Sequence, residues 1–66
     1  MITALAGFKL NQKIKAPMPF VGDATIIGFR WHTSRNTGRT YMVAEYLTDN
    51  GKQCFDSLEM ITRAQQ

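Results

Sequence analysis

Apolar and polar residues alternate in the middle of the chain and predict a β-strand over residues 24–32. Because successive side chains of a strand point to opposite faces, this alternation places Ile27, Phe29 and Trp31 on one face. A glycine inside a strand often marks a bulge or a sharp bend, so Gly28 predicts a distortion that helps to curl a small sheet. The other face of this strand holds Ile26, Gly28, Arg30 and His32.

Two further β-prone segments, residues 40–47 and residues 52–55, flank the Asp-Asn-Gly sequence of residues 49–51. Asn-Gly between such segments is a strong hairpin signal, because both residues tolerate the positive φ of a type I′ turn. We therefore expect these two segments to pair as an antiparallel hairpin. Residues 33–38 form a polar loop that joins the first strand to the second.

The N-terminal third of the chain has a weaker pattern. Residues 12–16 predict a short edge strand with Ile14 facing inward, and residues 17–23 predict a loop, because prolines lack the N–H that a β-ladder needs. Residues 1–11 allow three interpretations: a flexible segment, an extra strand, or a segment that packs against a partner. The expected domain organisation is therefore an N-terminal segment, residues 1–11, followed by a β-domain over residues 12–66.

Near the C-terminus, the pattern of residues 56–59 is typical of a helix N-terminus and predicts one helical turn before a last short strand at residues 60–61. The resulting order of elements over residues 12–62 resembles that of SH3-like small β-barrels. The resemblance implies an all-β fold, a small barrel of about five antiparallel strands with one short helical turn near the C-terminus. SH3-like barrels include Tudor- and KOW-type binders of nucleic acids or ribosomes, peptide-binding adaptors and one enzyme family.

Length and composition restrict the class of protein. With 66 residues, 44% of them hydrophobic and 20% charged, the chain is one globular domain with a thin core, which homo-oligomerisation would help to stabilise. The single cysteine, Cys54, cannot form an intramolecular disulfide, and this favours a reducing, cytoplasmic location. The N-terminal residues lack the basic start of a signal peptide and the length of a membrane span, so no membrane association is expected.

The net charge of +3 is unevenly distributed along the chain. Residues 1–44 hold six basic residues and one acidic residue, a formal charge of +5, whereas residues 45–66 hold two basic and four acidic residues, a formal charge of −2. This asymmetry indicates either a basic face for an anionic partner or simply the charge that keeps a small protein in solution.

Basic and aromatic side chains concentrate around the loop between the first two central strands. Arginine binds phosphate through paired hydrogen bonds, and exposed rings stack on bases, so this region favours nucleic-acid binding, with DNA and RNA equally open. Lys13 and Lys15 extend the basic surface if their strand lies beside the face of Arg30; otherwise they protect a sheet edge from aggregation. The predicted nucleic-acid-binding residues are Lys13, Lys15, Arg30, His32, Arg35, Arg39 and Tyr41.

A protein-interaction module is the alternative hypothesis. Two prolines stiffen the 17–23 loop, where we expect Phe20 to fold under the barrel end and Met18 to stay exposed as a contact. Trp31 shares a face with Ile27 and is predicted to lie in the core or at its rim. In this alternative, Met18, Phe20 and Trp31 contact a host protein complex, as in a phage- or plasmid-type accessory protein.

A catalytic role has one faint source of support. Residues 52–55, Lys-Gln-Cys-Phe, resemble the Val-Gln-Ile-Tyr strand of the type B plasmid-borne dihydrofolate reductases, and residues 58–61 resemble the Leu-Glu-x-Ile ending of that family. The resemblance assigns Gln53 to the family's glutamine, whereas Phe55 lacks the hydroxyl of the family's tyrosine. The sequence shows no phosphate-binding glycine loop, metal-ligand cluster or paired nucleophile and base. We therefore expect a binding protein without catalytic residues, metal or cofactor.

Overall fold

The structure, a computed structural model, describes residues 3–66 and contains two antiparallel sheets. The smaller sheet is a hairpin of two strands, and the larger one has four strands in the order β3-β4-β5-β6 and curls into a half-barrel. The predicted all-β class is confirmed. The elements are β1 (Ala4–Leu5), β2 (Phe8–Lys9), β3 (Lys13–Lys15), β4 (Asp23–Thr33), β5 (Thr40–Thr48), β6 (Gln53–Ser57) and α1 (Leu58–Ala64).

A β-bulge in β4 decides which side chains face the core. In the pairing of β4 with β5, Ile26 lies opposite Tyr46 and Gly28 lies opposite Glu45, so Ile27 is an extra residue without a partner. The bulge predicted from Gly28 is confirmed. The predicted inward position of Ile27 is wrong, because the extra residue resets the alternation: Ile26 has no exposed surface, whereas Ile27 is 41% exposed.

The core lies on one face of the curled sheet and is closed by elements from both ends of the chain. Ile14 of the edge strand β3 is buried, as predicted, and Phe8 of β2 reaches the same cluster. Ile61 of α1 covers the core from the C-terminal side. The buried cluster consists of Phe8, Ile14, Ala16, Ala24, Ile26, Ala44, Tyr46 and Ile61.

The N-terminal residues form the smaller hairpin. Ala6 and Gly7, which connect β1 and β2, both have positive φ, at 53° and 85°. Two central residues with positive φ are the mark of a type I′ turn. Met1 and Ile2, which belong to the predicted N-terminal segment 1–11, lie outside the described residues.

The hairpin between β5 and β6 forms where Asn-Gly predicted it, but its turn is of another type. Of the two central residues, Gly51 alone has positive φ, at 88°. The amide of Thr48 donates to the carbonyl of Lys52 at 2.8 Å, and the amide of Lys52 donates to the Thr48 hydroxyl at 3.1 Å. The type I′ prediction is wrong, because a three-residue loop with glycine in the left-handed region closes this hairpin.

The C-terminus is helical where the sequence predicted a last strand. β6 continues through Ser57, whose hydroxyl accepts a hydrogen bond from the amide of Met60 and caps α1. Leu58 and Ile61, three residues apart, turn the same side of the helix to the core, so Ile61 is buried by helical rather than strand periodicity. The predicted strand at residues 60–61 is therefore wrong. No helix within residues 3–66 has the length and apolar character needed to cross a membrane.

A partly buried hydrogen bond between side chains links β5 to β6. The Tyr46 side chain has no exposed surface, and its hydroxyl donates to Asp56 Oδ2 at 2.7 Å. Burial, and then the hydrogen bond and negative charge of Asp56, raise the pKa of Tyr46 well above its ordinary value.

Alkaline pH is therefore expected to destabilise the fold through Tyr46. The pKa of Tyr46 is higher in the folded than in the unfolded chain, so the protonated Tyr46 side chain stabilises the fold. This contribution is fully present below the unfolded pKa near ~10 and is lost as pH rises toward the folded value. The loss reaches at most about 1.4 kcal/mol per pH unit. Urea unfolding of the wild type and Tyr46→Phe across this range measures it. A stability difference between the two proteins that does not change with pH would contradict the prediction.

Candidate nucleic-acid interface

The face of the four-stranded sheet turned away from the core, called the outer face below, collects most of the residues predicted to bind nucleic acid. Residues opposite one another on antiparallel strands share a face, so the register fixes which side chains lie together. Lys13 pairs with Thr25 of β4, which settles that β3 lies beside the strand of Arg30. The outer-face side chains are Lys13, Lys15, Asp23, Thr25, Arg30, His32, Tyr41, Val43, Glu45, Leu47, Gln53, Phe55 and Ser57.

The predicted lysines and arginines occupy opposite ends of this face. Lys13 lies beside Thr25, and Arg30 follows five residues further along β4, which at roughly 3.3 Å per residue is about 15 Å once the bulge is allowed for. The basic residues therefore form an extended track along the sheet rather than one tight patch.

Three aromatic rings form a cluster at the hairpin end of the outer face. The His32 ring lies 5.5 Å from the ring of Tyr41 and 4.9 Å from the ring of Phe55, measured between centroids. Tyr41 and Phe55 keep 38% and 40% of their surface exposed. His32, Tyr41 and Phe55, called the aromatic cluster below, thus offer ring surface to solvent beside the basic residues.

The sequence-based reasoning missed Phe55 and Glu45 as residues of this face. The guanidinium carbon of Arg30 lies 4.5 Å from the centroid of the Phe55 ring, and Arg30 Nε lies 3.5 Å from Glu45 Oε2. Phe55 comes from β6 and Glu45 from β5, and they lie directly opposite each other. Only the cross-strand register, which no local pattern contains, brings them to Arg30.

Gly28 has a packing role beside this ion pair. A Cβ atom at Gly28 would lie 3.3 Å from Glu45 Oε1, which is tighter than ordinary van der Waals contact. The glycine of the bulge therefore leaves room for the carboxylate that accompanies Arg30.

Arg35 and Arg39 lie on the loop of residues 34–39, called the hairpin loop below, which connects β4 and β5. The loop is held by hydrogen bonds from the amide of Ser34 to the carbonyl of Arg39 at 2.8 Å and from the amide of Gly38 to the carbonyl of Ser34 at 2.9 Å. Both arginines are exposed, and the ion pairs found within residues 3–66 involve neither of them. Their charges therefore face solvent at the end of the outer face.

The outer face and the hairpin loop together carry all of the net charge. They hold five basic residues and two carboxylates, Asp23 and Glu45, a balance of +3 that equals the formal charge of the whole chain. The other three basic residues and three acidic residues cancel. The asymmetry seen along the sequence therefore becomes a difference between surfaces of the folded protein.

An open groove of about 600 Å³ adjoins the aromatic cluster. It runs between the hairpin loop and the start of α1, and Arg39, Tyr41 and Phe55 line it together with Glu59 and Met60. Its volume falls within the range of small-molecule sites, so a flat group of the size of a nucleobase fits beside the exposed rings.

The three residues of the protein-binding alternative do not share one surface. Met18 is 86% exposed in the loop before β4, whereas Phe20 packs on the core with its ring edge-on to Tyr46. Trp31, predicted for the core or its rim, is 64% exposed. Its register position, opposite Met42, is on the core side of the sheet, but this part of β4 extends beyond the end of the buried cluster. Met18 and Trp31 therefore lie toward opposite ends of β4.

The described residues contain no candidate metal site, and the comparisons with known proteins give no match. In the part of the chain that the structure describes, no three His, Cys, Asp or Glu side chains are grouped so that they could hold a metal ion. In comparisons with known proteins, no family model, no curated protein and no solved structure matches the chain.

Proposed function

We propose that this protein is a small non-catalytic module that binds nucleic acid through the outer face and the hairpin loop. One observation carries the proposal: the register gathers Lys13, Lys15 and Arg30 on the same sheet face as the aromatic cluster, with two exposed arginines at its end. Positive side chains neutralise phosphates and exposed rings stack on bases, and this face offers both.

The element order supports placing the half-barrel among SH3-like barrels, and we include this placement in the proposal. The faint resemblance to type B dihydrofolate reductases contributes little to it. Gln53 is exposed on the outer face, and Phe55 is engaged with Arg30 where that family has a tyrosine hydroxyl. The half-barrel is then a scaffold that presents charge and rings rather than a catalytic site.

Binding is expected to weaken steeply as salt rises. Each phosphate neutralised releases bound counterions, so the logarithm of the association constant should fall linearly with the logarithm of salt concentration, by about 0.7–0.9 per phosphate. Fluorescence anisotropy of labelled DNA and RNA oligonucleotides at several salt concentrations measures the slope.

A slope equivalent to roughly three or more phosphates supports the proposal, since Lys13, Lys15, Arg35 and Arg39 are available on this surface in addition to Arg30, which is paired with Glu45. Failure to bind both DNA and RNA at low salt would remove it. A neutral fluorescent dextran of similar size controls for non-specific adsorption.

A second candidate, binding to another protein, is favoured by the loop before β4. Met18 and Val21 are 86% and 91% exposed there, an apolar tip that stable folding does not require. Pull-down with the wild type and Met18→Ser, with and without nuclease, separates the two functions. Nuclease-resistant capture that the serine variant loses supports the protein-binding candidate.

A further inference from the structure

Arg30 differs from the other basic residues of the outer face in how it is held. Its guanidinium lies over the Phe55 ring and beside the Glu45 carboxylate, yet 42% of its side chain remains exposed. A carboxylate at 3.5 Å offsets much of the positive charge that a phosphate would otherwise meet. Arg30 is therefore poorly suited to bind phosphate but well fixed in position.

A fixed guanidinium is a flat surface on which a base can stack. Planar guanidinium groups and aromatic rings both stack on nucleobases, whereas the ammonium of lysine does not offer a plane. Arg30, supported from below by Phe55, continues the ring surface of the aromatic cluster. Glu45, whose Oε2 lies 3.5 Å from Arg30 Nε, helps to hold the guanidinium beside the Phe55 ring.

We infer that Arg30, Tyr41 and Phe55 form a stacking platform that selects unpaired bases, so that the preferred ligand is single-stranded nucleic acid. This inference rests on the proposed function and specifies its ligand. In a duplex the base faces are covered by their neighbours, and a protein surface reaches only phosphates and groove edges. Exposed rings contribute to binding only where bases are unstacked and accessible.

The test compares three ligands of equal phosphate number per strand. They are a single-stranded oligothymidylate of about twelve nucleotides, an abasic strand of the same length, and a blunt duplex of about twelve base pairs. The platform predicts that the oligothymidylate binds about tenfold more tightly than the abasic strand at the same salt, with equal salt slopes for the two. It also predicts a weaker affinity for the duplex.

Two variants assign this preference to the platform. Phe55→Leu keeps an apolar side chain but removes the ring, and Arg30→Lys keeps the charge but removes the plane. Each should lower affinity for the oligothymidylate about tenfold, leave binding to the abasic strand unchanged, and leave the salt slope unchanged. Thermal unfolding of each variant establishes that it is folded, and Tyr41→Leu repeats the ring test from β5.

The outcomes separate the inference from the proposed function. If none of the three ligands binds at low salt, the proposed function fails. If the oligothymidylate and abasic strands bind equally, or Arg30→Lys binds like the wild type, Arg30 acts as a charge: the platform is overturned and phosphate binding stands. Tighter binding of the duplex than of the oligothymidylate likewise overturns the inference alone.

Discussion

Replacement of Ile26 by alanine is expected to destabilise the protein by about 3 kcal/mol, whereas the same replacement at Ile27 costs at most about 1 kcal/mol. Ile26 has no exposed surface and packs in the main core, while Ile27 lies on the bulge and is 41% exposed. Removing a fully buried isoleucine side chain loses its transfer free energy and leaves a cavity, and the exposed neighbour incurs neither cost in full.

The effect at Ile26 is large relative to the whole fold. A domain of this length has a free energy of unfolding of roughly 3–10 kcal/mol, so Ile26→Ala is expected to remove about a third of it or more. Urea unfolding followed by circular dichroism gives both values. A larger loss for Ile27→Ala than for Ile26→Ala would mean that β4 has no bulge and that the simple alternation of the sequence holds throughout.

This pair of residues shows where pattern reading succeeds and where it stops. Gly28 correctly indicated a bulge, because a glycine inside a strand has no side chain to pack and its backbone tolerates distortion. The alternation on its C-terminal side was also correct, since Phe29 packs against the core. Apolar residues stand at even positions up to Ile26 and at odd positions from Ile27 onward, so alternation counted from the two ends of the strand turns a different isoleucine inward, and counting from Phe29 alone selected the wrong one.

The predictions for the turn between β5 and β6 and for the C-terminus were wrong for related reasons. Asn-Gly signals a hairpin, but the choice between a two-residue and a three-residue loop depends on which cross-strand pair closes it, here Thr48 with Lys52. At the C-terminus, a run as short as residues 58–61 fits strand or helix equally well. Its burial beside β5 and β6, a tertiary contact, favours the helix.

The candidate interface was predictable in its basic residues and in the rings of His32 and Tyr41, but not in the ring of Phe55. Arg35 and Arg39 lie within one loop, so their proximity is local and visible in the sequence. Phe55 reaches Arg30 only because β6 pairs with β5 and β5 with β4 in one particular register. A shift of one residue in either pairing would turn Phe55 to the core side, so its role depends on the whole sheet.

Neutralising the four basic residues of this surface that take part in none of the ion pairs found within residues 3–66 is expected to reduce nucleic-acid affinity by roughly two to three orders of magnitude near 0.1 M salt. The change replaces Lys13, Lys15, Arg35 and Arg39 with glutamine. Each contact with a phosphate contributes about 0.7 to the logarithm of the association constant at that salt, and the salt slope should fall by about the same amount per residue. Anisotropy titrations at several salt concentrations measure affinity and slope together.

A matched control removes the same kind of charge elsewhere. Lys9→Gln with Lys52→Gln alters two exposed lysines that lie off the outer face, in β2 and in the turn before β6, and should change affinity less than about threefold. If this control is as damaging as a pair on the outer face, binding follows net charge and the face has no special role.

The two pairs within the quadruple variant decide what the edge-strand lysines do. β3 is an edge strand, and the charges of Lys13 and Lys15 prevent edge-to-edge association whether or not they also bind phosphate. If they also contact phosphates, Lys13→Gln with Lys15→Gln should lower affinity and slope about as much as Arg35→Gln with Arg39→Gln, and the losses should add. If replacing the two lysines leaves the salt slope of binding unchanged but promotes aggregation, the lysines protect the sheet edge. The binding surface is then limited to the hairpin loop and the aromatic cluster. An equal loss from both pairs means that one strand follows the sheet from β3 to the loop, a path that only the observed strand order provides.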